Sequence, residues 1–95
     1  MSKSIVQSEE KQCYLCGRQY GLEKHHIYAG IANRRLSERE GLFVFLCKFC
    51  HTGNGNKSAQ YEKDLNRLLK REGQRAFEKT HTREEFIQIF GKNYL

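Results

Sequence analysis

The sequence predicts a small α+β domain, a β-hairpin followed by C-terminal helices, and three observations support this prediction. The chain has 95 residues, 38% of them hydrophobic, so a single domain with a modest core is expected. Two short segments, residues 22–28 and 42–46, have the length and residue content of strands. Beyond residue 58 the apolar residues recur at helical spacing. We therefore expect a flexible N-terminal tail over residues 1–11 and one domain over residues 12–95.

The N-terminal half contains both predicted strands. The first strand covers residues 22–28 and is broken by the Ala-Gly pair at residues 29 and 30. The charged segment 31–40 has no clear apolar period, which predicts a loop containing a helical turn. Residues 42–46 then form an apolar run that leads directly into Cys47 and predicts a buried strand.

Two helices are expected in the C-terminal half. Ser58 is a candidate cap for the first, and Gly73 leaves two alternatives, because the helix either ends or bends there or continues beyond it. Thr82 with Glu85 three residues later is a capping box that predicts the start of the second helix, and Gly91 is its expected stop. The apolar stripe of the first helix comprises Tyr61, Leu65, Leu68, Leu69 and, if the helix continues, Ala76 and Phe77.

All four cysteines occur in two CxxC pairs, Cys13 with Cys16 and Cys47 with Cys50. A gap of two residues lets both thiolates of a pair reach the same ion, and two pairs complete the tetrahedral set that zinc prefers. A redox CxxC usually comes alone near a βαβ pattern, and a secreted disulfide framework needs an export signal. Neither feature is visible, so the spacing predicts one structural zinc ion.

The charge of the chain favours a polyanionic partner. The formal net charge is +6, which most simply indicates nucleic acid, although many small basic domains bind no polyanion. No apolar run approaches the roughly 20 residues that a membrane span needs, and the N-terminus lacks the apolar block of a signal peptide. We expect a soluble, intracellular protein with no membrane partner.

Three of the four histidines lie close to the cysteine pairs in sequence. His25 and His26 are adjacent on the first predicted strand, and His51 directly follows Cys50. If the two strands pair as a hairpin, His25 or His26 comes near His51, and the strand register decides which, because a one-residue shift exchanges their faces. The alternative is that His25 and His26 are ordinary strand residues and His51 a hydrogen-bond donor beside the zinc. His81 is predicted to be a surface residue without a role.

The order of these residues resembles the HNH endonucleases, which have a zinc-knuckled ββα-metal fold, also called the His-Me finger, of treble-clef-like type. The resemblance rests on the first CxxC, the segment LEKHHI at residues 22–27 and the segment LCKFCH at residues 46–51. Residues 32–35, 41–47 and 90–95 also resemble short HNH proteins encoded by phages and prophages. The resemblance implies a DNA endonuclease in the cytoplasm of a bacterial host.

The resemblance also implies a role for each histidine. His25 and His51 would bind a catalytic divalent ion, either Mg²⁺, Mn²⁺, Ni²⁺ or Zn²⁺, and His26 would be the general base. A histidine with a pKa near 6.5 can take the proton of a water molecule near neutral pH. A divalent ion can bind the scissile phosphate and stabilise charge on the leaving oxygen.

Two positions depart from the family pattern. Leu42 stands where many members have an asparagine that braces the loop, and Gly55 stands where some members have a third metal-binding histidine. Candidate supporting residues are Asn33, Asn54 and Asn56. These departures leave open the alternative of a non-catalytic, zinc-stabilised DNA-binding module.

Several basic side chains flank the proposed site and are expected to contact DNA phosphates, which positions a strand without reading its sequence. They are Lys24, Arg34, Arg35, Arg39, Lys48 and Lys57. A third alternative is a small protein-interaction domain whose partners are phage packaging or recombination proteins.

Overall fold

The structure is a computed structural model and describes residues 3–28, 30–53 and 62–95. Within these residues the chain forms a two-stranded antiparallel sheet and three α-helices, which confirms the predicted α+β class with a hairpin and helices. In chain order the elements are β1 (Leu22–His26), α1 (Ile31–Glu40), β2 (Phe43–Cys47), a π-helical turn (Phe49–Gly53), α2 (Lys63–Phe77) and α3 (Arg83–Phe90). No helix in the described part of the chain is long and apolar enough to cross a membrane.

The hairpin has one defined register. Leu22 pairs with Cys47 at one end of the two strands, and His26 pairs with Phe43 at the other. β2 is buried along most of its length, as its run of apolar residues predicts, whereas β1 is only half-buried. In this register Cys47 lies at one end of the hairpin, and both strand histidines lie toward the other end.

Residues 31–40 form a ten-residue helix, α1, where the sequence predicts only a loop with a helical turn. Gly30, at φ 98°, lets the chain turn out of β1, and its carbonyl accepts the first helical hydrogen bond. The left-handed Gly41 ends the helix. Inside the helix the buried Ser37 hydroxyl bonds to the backbone N–H and carbonyl of Tyr28. These tertiary contacts stabilise a helix that has almost no apolar stripe, which is why the pattern missed it.

α2 begins after Glu62, whose carboxylate accepts hydrogen bonds from the first turn. The predicted cap Ser58 and the predicted stripe residue Tyr61 lie outside the described residues. The helix continues through Gly73 and ends at Phe77, so the second of the two alternatives for Gly73 is correct.

Gly73 is explained by packing between α2 and Tyr28. A Cβ atom at this position would lie 2.8 Å from the hydroxyl oxygen of Tyr28. That hydroxyl donates a hydrogen bond of 2.6 Å to the carbonyl of Lys70 on the same helix. The glycine therefore allows the close approach that fixes α2 against the end of β1, because any larger side chain would push the helix away.

α3 follows the local sequence signals closely. Thr82 and Glu85 form the predicted capping box, and Gly91 adopts the left-handed conformation that ends the helix. The aromatic rings of Phe86 and Phe90 pack on Tyr28, with centroid separations of 5.4 and 4.6 Å. This aromatic cluster joins the C-terminal helices to the hairpin.

The N-terminal segment lies against β2. The Ser4 hydroxyl donates to the carbonyl of Phe43, and the Gln7 carboxamide oxygen accepts a 2.7 Å hydrogen bond from the backbone N–H of Phe45. Gln7 is 5% exposed, and its amide nitrogen donates to the carbonyl of Gln12. The predicted boundary before residue 12 therefore separates residues that contact one another. The apolar pattern does not reveal these contacts, because polar side chains make them with the backbone of β2.

Candidate functional site

The four cysteine sulfur atoms form one cluster in which all lie within 4.8 Å of one another. The sulfurs of Cys16 and Cys47 are 3.6 Å apart, far longer than a disulfide of about 2.05 Å. That separation is close to the edge of about 3.8 Å that a tetrahedral zinc site has with Zn–S bonds of about 2.3 Å. The cluster could therefore hold a metal such as zinc. Within the described residues it is the only group of three or more candidate ligands this close together.

Backbone hydrogen bonds to these sulfurs stabilise the thiolate form, which binds a metal cation. The N–H of Cys50 lies 3.5 Å from the sulfur of Cys47, within a tight turn. Burial raises the pKa of the Cys13 thiol, but hydrogen bonds from the backbone of Cys47, Cys16 and Leu15 outweigh it and lower this pKa to about 6. A thiol with that pKa is largely thiolate at neutral pH, which is the form that binds metals.

Cys50 behaves in the opposite way. Burial, followed by hydrogen bonds with the neighbouring thiols, raises the pKa of Cys50. A bound cation would have to displace its proton, so metal binding to the complete cluster is expected to release protons.

His25 and His51 come together beside the cysteine cluster. Their ring centroids are 5.2 Å apart in an edge-to-face arrangement. His25 lies opposite Val44 in the hairpin register, and His51 follows the second cysteine pair in the π-helical turn. Of the two strand histidines, His25 is thus the one whose ring contacts His51.

A glutamate orients His51. The Nδ1 atom of His51 is 2.8 Å from a carboxylate oxygen of Glu23, and because a carboxylate only accepts, Nδ1 carries the proton. Nε2 is then the nitrogen with a lone pair, as in a histidine prepared to bind a metal. Glu23 is not among the residues predicted from the sequence; the available signal was its position two residues before His25, which places both on one face of β1.

His25 is a neutral imidazole with a buried nitrogen. Its Nε2 atom is buried and has no hydrogen-bond partner in the described part of the chain. Burial, followed by the charges of His51, His26 and Lys70, lowers the pKa of His25 to about 4. An imidazole that stays neutral and lacks a partner fits a metal ligand, because a buried polar atom is otherwise left unsatisfied at a cost.

His26 lies on the other face of β1 and contacts α1. Its Nε2 atom is 2.9 Å from a carboxylate oxygen of Glu38, which also accepts from the Lys24 ammonium group at 3.1 Å. The hydrogen bond from His26, followed by that from Lys24, lowers the pKa of Glu38. The carboxylate remains charged near neutral pH and accepts a hydrogen bond from Nε2–H of His26, so Nδ1 is the ring nitrogen that can accept a proton.

All three histidines line one cavity of about 750 Å³. Among the described residues no aspartate or glutamate lines it, whereas six cationic side chains do. These six are Lys24, Arg34, Lys63, Arg67, Lys70 and Lys92. The cavity is therefore a basic cleft, and it is chemically suited to a polyanion.

The remaining candidate residues have different positions. Of the six expected phosphate contacts, Lys24 and Arg34 line the cleft. Arg35, Arg39, Lys48 and the candidate supporting residue Asn33 are not among its described lining residues. Leu42 is completely buried in the core, so an apolar side chain occupies the position where the HNH resemblance implies an asparagine. Residues 54–57, which include Asn54, Gly55, Asn56 and Lys57, lie outside the described residues.

The described residues thus define a small α+β protein with a cysteine cluster that could hold a metal such as zinc. A basic cleft with three histidines adjoins that cluster. Comparisons with protein-family models, with curated proteins and with solved structures found no match. A proposal for the function therefore depends on the chemistry of these side chains.

Proposed function

We propose that the chain is a metal-dependent DNA endonuclease of the HNH type, which hydrolyses phosphodiester bonds within a zinc-stapled ββα-metal domain. One observation carries this proposal: His25 and His51 are in contact beside the cysteine cluster, in a basic cleft that His26 also lines. Zinc on Cys13, Cys16, Cys47 and Cys50 would keep the two ligand histidines together. Supporting this assignment, the four sulfurs lie in one cluster, and the separation of 3.6 Å between Cys16 and Cys47 is close to the edge of a tetrahedral zinc site.

His25 and His51 are the proposed ligands of a second, catalytic divalent ion. The orphaned Nε2 of His25 and the Glu23-oriented ring of His51 both fit this role. Such an ion would bind the scissile phosphate and stabilise charge on the leaving oxygen. Two protein ligands leave several coordination positions for water and phosphate.

His26 is the proposed general base. Glu38 accepts a hydrogen bond from Nε2–H and holds the ring, so that Nδ1 can take a proton from the attacking water. The cations of the cleft, Lys24 and Arg34 among them, attract and orient the DNA backbone. Within this scheme every chemical role belongs to a side chain that lines the cleft or directly orients one that does.

A zinc-stabilised DNA-binding module without catalysis is the second candidate. It is favoured by one observation: among the described residues, only two histidines meet at the proposed ion site. Such a module would use the same cleft and the same cations, but no substitution of a histidine would change a chemical step.

A plasmid assay separates the two candidates. Supercoiled DNA is incubated with the protein and Mg²⁺, Mn²⁺ or Ni²⁺, beside His26→Ala and the control His81→Ala, whose ring packs on Phe77 away from the cleft. We expect His26→Ala to reduce the cleavage rate by about 10²- to 10⁴-fold, because the base is lost, and His81→Ala to cut normally.

The other outcomes are equally informative. Retardation of DNA on a gel without cleavage by the wild-type protein would support the binding module. Cleavage that is equally fast in His26→Ala would remove His26 from the mechanism, and absence of both cleavage and retardation would contradict both candidates.

A further inference from the structure

We infer that α2 and the C-terminal segment form a second phosphate-binding wall of the cleft, which holds the DNA strand over the histidines. We call this surface the α2 wall and define it by Lys63, Arg67, Lys70 and Lys92. The inference rests on the proposed function and deepens it, since it assigns the contacts that seat the DNA backbone. The apolar stripe of α2 predicts only a core helix, so the sequence pattern gives this helix no such role.

The α2 wall is a continuous row of cations. Lys63, Arg67 and Lys70 are spaced by four and three residues, which places them on one face of a helix. Seven residues of helix extend about 10 Å, which is close to the axial rise of about three nucleotides of one strand. The row therefore has the length to contact successive phosphates of a single strand, which a site for one small anion does not need.

The cations of the wall have no ion-pair partner in the described ranges 3–28, 30–53 and 62–95. The same holds for Arg34, which also lines the cleft. On the same helix but outside the cleft, Arg75 pairs with Glu72 at 2.8 Å. Like charges that converge on one cavity repel one another, and a bound polyanion relieves this repulsion.

The C-terminal segment is held firmly on α2. The buried Gln74 side chain accepts a 2.8 Å hydrogen bond from the backbone N–H of Tyr94 and donates a 2.8 Å bond to Asn93. The ammonium groups of Lys70 and Lys92 lie 5.6 and 5.3 Å from the centroid of the Tyr94 ring. Tyr94 thus brings a cation of α2 and a cation of the C-terminal segment to one place.

The α2 wall also lines the cleft that contains the three histidines. Lys70 lines the same cleft as His25 and His51. A phosphate bound by Lys70 would therefore lie in the cleft that holds the histidine pair. Phosphates farther along the same strand would contact Arg67 and Lys63.

The test compares charge-neutralising substitutions on one helix. Arg67→Gln and the double variant Arg67→Gln/Lys92→Gln remove wall cations, and Arg71→Gln is the matched control, an exposed arginine of α2 that does not line the cleft. Binding to a fluorescent DNA duplex is measured by anisotropy over a range of salt concentrations, with zinc-loaded protein and no added catalytic metal, so that no cleavage occurs.

Each lost phosphate contact should reduce the slope of log association constant against log salt concentration by about 0.9. We therefore expect a slope smaller by about 0.9 in Arg67→Gln and by about 1.8 in the double variant, with no change in Arg71→Gln. Arg67→Lys should restore the slope, which would exclude misfolding as the cause, and circular dichroism checks the fold of each variant.

Two results would overturn the inference, and they are distinguishable. If the wild type binds DNA but the wall variants behave as Arg71→Gln does, the α2 wall is not a phosphate contact, while the proposed function stands. If the wild type neither binds nor cleaves DNA, the proposed function fails and the inference fails with it.

Discussion

Two carboxylates orient two of the three histidines of the cleft. Glu23, on β1 itself, binds Nδ1 of His51, and Glu38, on α1, binds Nε2 of His26. Each carboxylate determines which ring nitrogen carries the proton and therefore which one can bind a metal or accept a proton. These two contacts favour the tautomers that the proposed roles of His51 and His26 require.

Substitution of Glu23 is expected to weaken the proposed catalytic site selectively. In Glu23→Ala, His51 loses the acceptor that fixes its tautomer, so divalent-ion affinity and plasmid cleavage should fall by about 10- to 100-fold. Glu23→Gln should recover part of this loss, because the amide oxygen still accepts the hydrogen bond. Titration with Mn²⁺ and the plasmid assay measure both effects.

The control for this prediction is Glu40→Ala, because Glu40 pairs with Arg39 and neither residue lines the cleft. Zinc content should be unchanged in all three variants. Unaltered ion affinity and cleavage in Glu23→Ala would contradict the role given to His51.

The elements differ in how far local sequence determines them. α3 has its own start signal in Thr82 and Glu85 and its own stop in Gly91, and the structure confirms all three. α1 lacks both an apolar stripe and a side-chain cap, and it depends on the buried contacts of Ser37 with Tyr28. We infer that α3 tolerates changes in the core better than α1 does.

The cap of α3 should give a measurable pH dependence. A hydrogen bond from the backbone N–H of Thr82 lowers the pKa of Glu85 in the folded state. A lowered pKa means that the charged carboxylate contributes stability above its unfolded pKa of about 4.3, and that this contribution is lost as the pH falls through the folded pKa. The stability difference between wild type and Glu85→Gln should therefore be smaller at pH 4 than at pH 6.

Urea unfolding of both proteins at the two pH values measures this difference. Glu84→Gln is the control, since its carboxylate lies in the same first turn of α3 without a role in the capping box. A difference that is equal at both pH values would show that the Glu85 contact contributes nothing through its charge.

The cysteine cluster joins three parts of the chain. Cys13 and Cys16 precede β1, Cys47 ends β2, and Cys50 lies in the π-helical turn beside His51. A metal on these sulfurs would keep the hairpin register and therefore the contact between His25 and His51. The cluster and the histidine pair are for that reason expected to be lost together.

Removal of the proposed zinc should unfold the protein. Structural zinc contributes on the order of 10 kcal/mol in small zinc domains, which is comparable with the entire stability of about 5–15 kcal/mol of a typical domain. A strong chelator, or the substitution Cys16→Ser, should abolish the cooperative thermal transition, and zinc added back to the chelated wild type should restore it. Native mass spectrometry should find one zinc ion per untreated chain.

A mass with two disulfides and no zinc would contradict this prediction. Leu15→Ser, which changes the exposed residue between the two cysteines of the first pair, is the control and should leave zinc binding intact.

The sequence predicts those features that depend on neighbours along the chain. The CxxC spacing, the strand run 42–46 and the capping box of Thr82 each act within a few residues, and the structure confirms the cysteine cluster and these elements. The contact of His51 with Glu23 spans 28 residues, and that of Gln7 with Phe45 spans 38. Contacts this distant depend on register and packing, which no local pattern encodes.

The attachment of the N-terminal segment has a consequence for self-association. The outward-facing backbone of β2 already has partners, because Phe43 accepts from Ser4 and Phe45 bonds to both Gln7 and Tyr14. An edge strand with open N–H and C=O groups is a template on which a foreign chain can assemble. Here residues 4–14 occupy the edge of β2, and any edge-to-edge pairing along this strand would first have to displace them.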